Sequence, residues 1–139
     1  MSKFSIPWPT FLLACAGPAS VLACHEIAGH LGIRRLFDHT FHFSGGFTIS
    51  ILIYTLLRIA SPWLGELSQP ARYLLTFCAA CTVAVFWEFG EFASDVFRGT
   101  HDQQSDMDTM LDLVFGTLGS LSMLLVTVIL RRSRQPALA

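Results

Sequence analysis

Ten acidic residues and five histidines carry most of the chemistry open to this sequence. Glu88, Glu91 and Asp95 lie three and four residues apart, which places them on one face of a helix. Asp108 and Asp112 are four apart, as are Glu26 and His30. Carboxylates joined by one or two imidazoles form a hard-to-borderline ligand set that suits Mg, Mn, Zn or Fe. Glu and Glu/His pairs on facing helices are one way to build a two-metal site in a bundle core. Such a site clamps phosphoryl or carbonyl oxygens and makes hydroxide at neutral pH. Without metal, acids crowded together share protons, leaving a neutral acid beside an ionised base.

One tempting motif fails on geometry. His25-Glu26-Ile27-Ala28-Gly29-His30 resembles the zinc protease helix, but its second histidine falls five residues after the first. On a helix that separates the rings by about 140°, unsuited to one tetrahedral ion. Glu26 with His30 remains a sound carboxylate–imidazole pair, and His25 suits packing as well as ligation.

The elements that position these groups follow from composition. In 139 residues, 53% are hydrophobic and only 14% charged. Mean hydropathy is +0.54. A soluble domain of this size cannot hide so much apolar surface, so the solvent is lipid. The formal net charge of -1 carries no nucleic-acid footprint. Crossing a hydrocarbon core takes about 20 mostly apolar residues. Spans are expected at 11–31, 43–60, 73–97 and 107–130, giving one all-α transmembrane domain, a four-helix bundle. Pro70 suits the first turn of the third helix, Gly99 its C-terminal stop, and Ser105 with Asp108 a capping box for the fourth. The aromatic run Phe37 to Phe47, with His39 and His42, reads as a loop before the second span, and Gly45-Gly46 as a turn.

Basic residues set the orientation. Lys3, Arg58, Arg72, Arg131, Arg132 and Arg134 share one side, against Arg34, Arg35 and Arg98 on the other. Both termini are therefore expected in the cytoplasm, and the chain in the cytoplasmic (inner) membrane as a multi-pass protein. A cleaved signal peptide fits poorly, since Lys3 is the only basic residue before an apolar stretch that Pro18 interrupts.

With that topology only Glu66 among the acids falls on the cytoplasmic side. The other nine, and every histidine, belong to the outer half. Counted from Pro70, Glu88 lies about 27 Å along its helix, and Asp112 lies about 10 Å in from the outer surface. An unpaired charge within the bilayer costs about 2.5 to 3.5 kcal/mol even on the lenient scale. Glu88, Glu91 and Asp112 are therefore expected to act as catalytic groups. Glu26, His30, Glu88, Glu91, Asp108 and Asp112 are the expected ligands of a divalent metal ion. Asp95, Asp102 and Asp106 read as solvated loop residues. Cys78 and Cys81 have redox spacing but lie in an apolar helix, where small packing residues are the simpler reading. Gly116, Gly119 and Ser120 form a small-residue seam for close helix approach. Trp87, beside Glu88, is placed to wall the pocket.

The run from Trp87 to Ser120 resembles VanZ-like small membrane proteins, particularly the YjdF-like branch. The matching residues are Trp87, Glu88, Glu91, Asp95, Gly99, Gln103 or Gln104, Asp108, Thr109, Asp112, Leu113 and Gly119. His25 and Gly29 echo a His and a Gly near the first helix of some relatives. The resemblance covers about the last third of the chain and implies a small multi-span protein without an established reaction. Two departures stand out: Gly116 sits where the family often has a further acid, and the chain has fewer spans than its typical members.

Three functions suit these residues. The first is a metal-dependent hydrolase or transferase acting on a lipid or lipid-linked substrate. The second is a carrier for protons or metal ions, which needs a polar route to the cytoplasm. The third is a non-catalytic accessory subunit whose acids pair with basic residues of a partner membrane subunit; a homo-oligomer is equally open to the chain.

Overall fold

The computed structural model describes residues 7–133. Lys3 and Arg134, which entered the charge balance, lie outside them. Four long helices dominate: α1 (Trp8–His30), α2 (Asp38–Ile59), α4 (Gln69–Arg98) and α5 (Asp106–Ser133). A four-residue helix α3 (Ser61–Leu64) and a 3-10 turn at Arg34–Leu36 occupy two of the connections. All regular structure among the described residues is helical. Each long helix is long and apolar enough to cross a membrane.

The helix ends follow their local chemistry. Pro70 sits in the first turn of α4, where the Ser68 hydroxyl accepts from the Ala71 N–H at 3.4 Å. Gly99 ends α4 in the left-handed region (φ 66°), a conformation that favours glycine. The Ser105 hydroxyl accepts from the Asp108 N–H at 3.2 Å, capping α5.

The second span differs from expectation. α2 begins at Asp38, so His39, His42 and the Gly45-Gly46 pair lie within a helix and form neither loop nor turn. Its polar first turns are held by partners on α4 and α5, which a hydropathy window cannot register. Asp38, His42, Gly46, Ser50 and Tyr54 recur every four residues along one face. That face makes α2 the central helix: it packs against α1, α4 and, most extensively, α5. At the α2–α5 crossing, Gly46 meets the Gly116 carbonyl, and Gly119 meets the Phe43 carbonyl, so closely that neither glycine has room for a Cβ. Glycine is required there for contact between backbones.

Burial is inverted relative to a soluble protein. His25, Ser50, Thr76, Glu88, Asp112 and Ser120 are enclosed, whereas Leu13, Phe86, Phe89, Phe92 and Phe97 stand exposed. Lipid is the solvent that makes this arrangement favourable, since apolar side chains lose nothing by facing acyl chains.

Candidate functional site

The enclosed acids converge at one end of the bundle on a histidine of α2. His42 Nδ1 lies 3.6 Å from Glu88 Oε1 on α4. Its Nε2 lies 3.6 Å from Asp112 Oδ1 on α5 and 3.7 Å from Asp38 Oδ1 one turn earlier on α2. Two overlapping groups result, Asp38–His42–Asp112 and His42–Glu88–Glu91, each with donor atoms within 4.8 Å of one another. These separations exceed ordinary hydrogen-bond lengths. They are close to the spacing of two donors sharing one ion, about 3.0 to 3.6 Å for bonds of about 2.1 Å.

Neighbouring groups hold the carboxylates in place. The Trp87 indole N–H donates to Glu91 Oε1 at 2.9 Å. The Gln103 amide donates to the Glu88 main-chain carbonyl at 3.3 Å and to Glu88 Oε2 at 3.5 Å. His39 Nδ1 lies 3.1 Å from Asp112 Oδ1, and its ring is stacked on Phe115 with centroids 4.7 Å apart. Glu88 is only 4% exposed, yet its Oε1 has no hydrogen-bond partner and points at His42 Nδ1. A buried carboxylate oxygen left in that state is strongly unfavourable unless a cation or a proton neutralises it.

The α4–α5 connection is built to deliver Gln103. Asp95 accepts hydrogen bonds from the Thr100 hydroxyl (2.6 Å), the Asp102 N–H (2.7 Å) and the Gln103 N–H (3.0 Å). Arg34 pairs with Asp102 and links this connection to the one between α1 and α2. Asp95, in the last turn of α4, and Asp102 therefore organise the rim, which corrects their reading as solvated loop residues. Asp106 opens the first turn of α5.

Of the residues expected from sequence, Glu88, Glu91 and Asp112 come together. Asp108 turns back to the helix start, accepting from the Gln104 N–H at 3.3 Å. Glu26 has a side chain 65% exposed and lies 3.7 Å from His25 Nδ1. His30 is exposed at the end of α1. Neither belongs to the two clustered groups. The hub His42 and its partner Asp38 were not among the residues expected at the site; their spacing of four residues was the available signal, hidden by reading 37–47 as a loop.

Beside the hub lies a cavity of about 380 Å³, lined by α1, α2, α4 and Gly116 of α5. His42 belongs to its wall, as does His25.

Fold and cluster together define a class: a multi-pass helical membrane protein with a buried carboxylate–histidine centre at one end. The chain belongs to the family described as "Predicted membrane protein (DUF2238)", whose model matches residues 9–133. A protein of Thermotoga maritima, described as uncharacterized, is 34% identical over 87 residues, covering 62% of this chain and 44% of that relative. The chain thus aligns with less than half of the relative's length. No solved structure matches it.

Proposed function

We propose that the chain is a metal-dependent hydrolase or transferase of the cytoplasmic membrane, acting on a lipid or lipid-linked substrate from an outward-facing site. Both termini lie in the cytoplasm in this reading, as the distribution of basic residues suggests. The observation that carries it is Glu88 Oε1, enclosed, without a hydrogen-bond partner and 3.6 Å from His42 Nδ1. Nδ1, Glu88 and Glu91 supply the ligands of a divalent ion. Nε2–H faces Asp112 and Asp38, the carboxylate–histidine pairing that fixes a metal-ligating imidazole. A cation also offsets the charge of four neighbouring carboxylates in a medium that tolerates none unpaired. Bound there, it polarises a phosphoryl or carbonyl oxygen or activates water. Asp112, aligned by His39, is placed to move the proton.

The resemblance to VanZ-like and YjdF-like proteins agrees with this location and supplies no reaction. A carrier is less well supported. Beyond the site, Ser50 and Ser120 share a 2.8 Å hydrogen bond, but the backbone contact between Gly46 and Gly116 separates that pair from His42.

Elemental analysis and Mn²⁺ titration of the purified full chain test the proposal. Glu88→Ala and His42→Ala are expected to lose the metal while the protein still inserts. Metal content unchanged in both variants overturns it.

A further inference from the structure

The 380 Å³ cavity is polar at one end only. At the end shared with the His42 site stand His25, Phe41 and Trp87; toward the bilayer centre the wall is Pro18, Ile49 and Ala80. These positions span about 10 to 12 Å along the helices, the depth of a mid-length hydrocarbon segment. The volume lies within the usual range for small-molecule sites, about 300 to 1,000 Å³. The cavity opens between α1 and α4, whose backbones have few close approaches. Leu22 and Val83 at this opening are 47% and 42% exposed.

His25 supplies an independent sign of a ligand. It is 6% exposed, held edge-on between Phe41 (5.4 Å) and Trp87 (5.5 Å), and neither ring nitrogen has a hydrogen-bond partner. Glu26 Oε1, at 3.7 Å, is too far to serve. An imidazole has one donor and one acceptor to satisfy, and burying both without partners is costly. In an otherwise apolar pocket, the matching molecule is a hydrocarbon chain ending in a group that accepts a hydrogen bond.

We propose that this cavity binds the acyl chain of a membrane glycerolipid, which enters from the bilayer between α1 and α4. Its ester carbonyl accepts from His25, and its headgroup lies toward His42. The assignment of that lipid as substrate rests on the metal-dependent reading above; the binding itself does not.

The test uses the full chain in detergent micelles with a phosphatidylglycerol that carries a diazirine midway along one acyl chain. Photolabelling is expected on Leu22, Ile49 and Val83 and is competed by unlabelled phosphatidylglycerol. Gly45→Leu and Val83→Trp, which fill the cavity from two different helices, are expected to abolish this labelling and to leave Mn²⁺ binding intact. His25→Phe is expected to weaken competition about fivefold, the size of one neutral hydrogen bond. Labelling confined to outward residues such as Phe86 and Phe89, or persisting in both filled variants, overturns the proposal. Stronger competition by a polyprenyl phosphate than by the glycerolipid overturns the acyl-ester assignment. Glu88→Ala is expected to keep the labelling while losing the metal. Labelling by a wild-type protein that binds no metal therefore refutes the metal reading alone.

Discussion

His42 is the residue on which the site turns. Its Nδ1 faces Glu88 and its Nε2 faces Asp38 and Asp112, so one helix position organises groups from three helices. The residues that hold those carboxylates matter nearly as much. Removing an outer partner of a metal ligand typically weakens metal affinity about 10- to 100-fold. Gln103→Ala, which releases Glu88 Oε2, is expected to fall in that range, and His39→Ala, which releases Asp112 one step further from the proposed ion, to cost less but still weaken binding. Mn²⁺ titration followed by electron paramagnetic resonance measures it. Affinity equal to wild type in both would show that the carboxylates need no such support. Glu26→Gln, on an exposed side chain, is expected to change little in the same titration.

Among the elements, α2 carries the architecture. It contacts each of the other three long helices, and its approach to α5 depends on glycine at two places. A Cβ on Gly46 would collide with the Gly116 backbone, which cannot move aside as a flexible side chain can. Gly46→Ala is therefore expected to destabilise the bundle by about 1 to 3 kcal/mol, the usual range for overpacking. Gly45 is the contrast, one residue away, with nothing within 4 Å of the place a Cβ would take. Gly45→Ala is expected to be neutral or to stabilise by about 0.4 to 1 kcal/mol, through reduced freedom of the unfolded chain. Denaturation in mixed detergent, followed by circular dichroism, compares the two. Equal stability of both variants would mean that α2 and α5 do not meet at these glycines.

For the whole molecule, orientation across the membrane has a direct measurement. The distribution of basic residues predicts that the connections at 31–37 and 99–105 lie outside the cell. With the four native cysteines replaced, a cysteine introduced at His101 is expected to react with a membrane-impermeant maleimide on intact cells. One introduced at Glu66 is expected to react only after lysis. The reverse pattern would put the His42 cluster at the cytoplasmic face and invert the route by which the proposed substrate reaches it.

Much of this was legible without coordinates because the relevant signals are local. Hydropathy over about 20 residues marks a span, and Pro70, Gly99 and Ser105 mark helix ends whatever surrounds them. Glu88 and Glu91 share a helix face by spacing alone, and the cost of a charge in lipid requires that face to find partners. Spacing along one helix does not say which face turns inward, however. Glu26–His30 and Asp108–Asp112 have the same four-residue interval as Asp38–His42, yet only Asp112 and the last pair enter the cluster. That choice belongs to the tertiary structure. The first turns of α2 are too polar to read as a membrane helix, and they become one because Glu88 and Asp112 approach from other helices to meet His42. Contacts between residues far apart in the chain have no local signature, so the hub became visible only once the helices were packed.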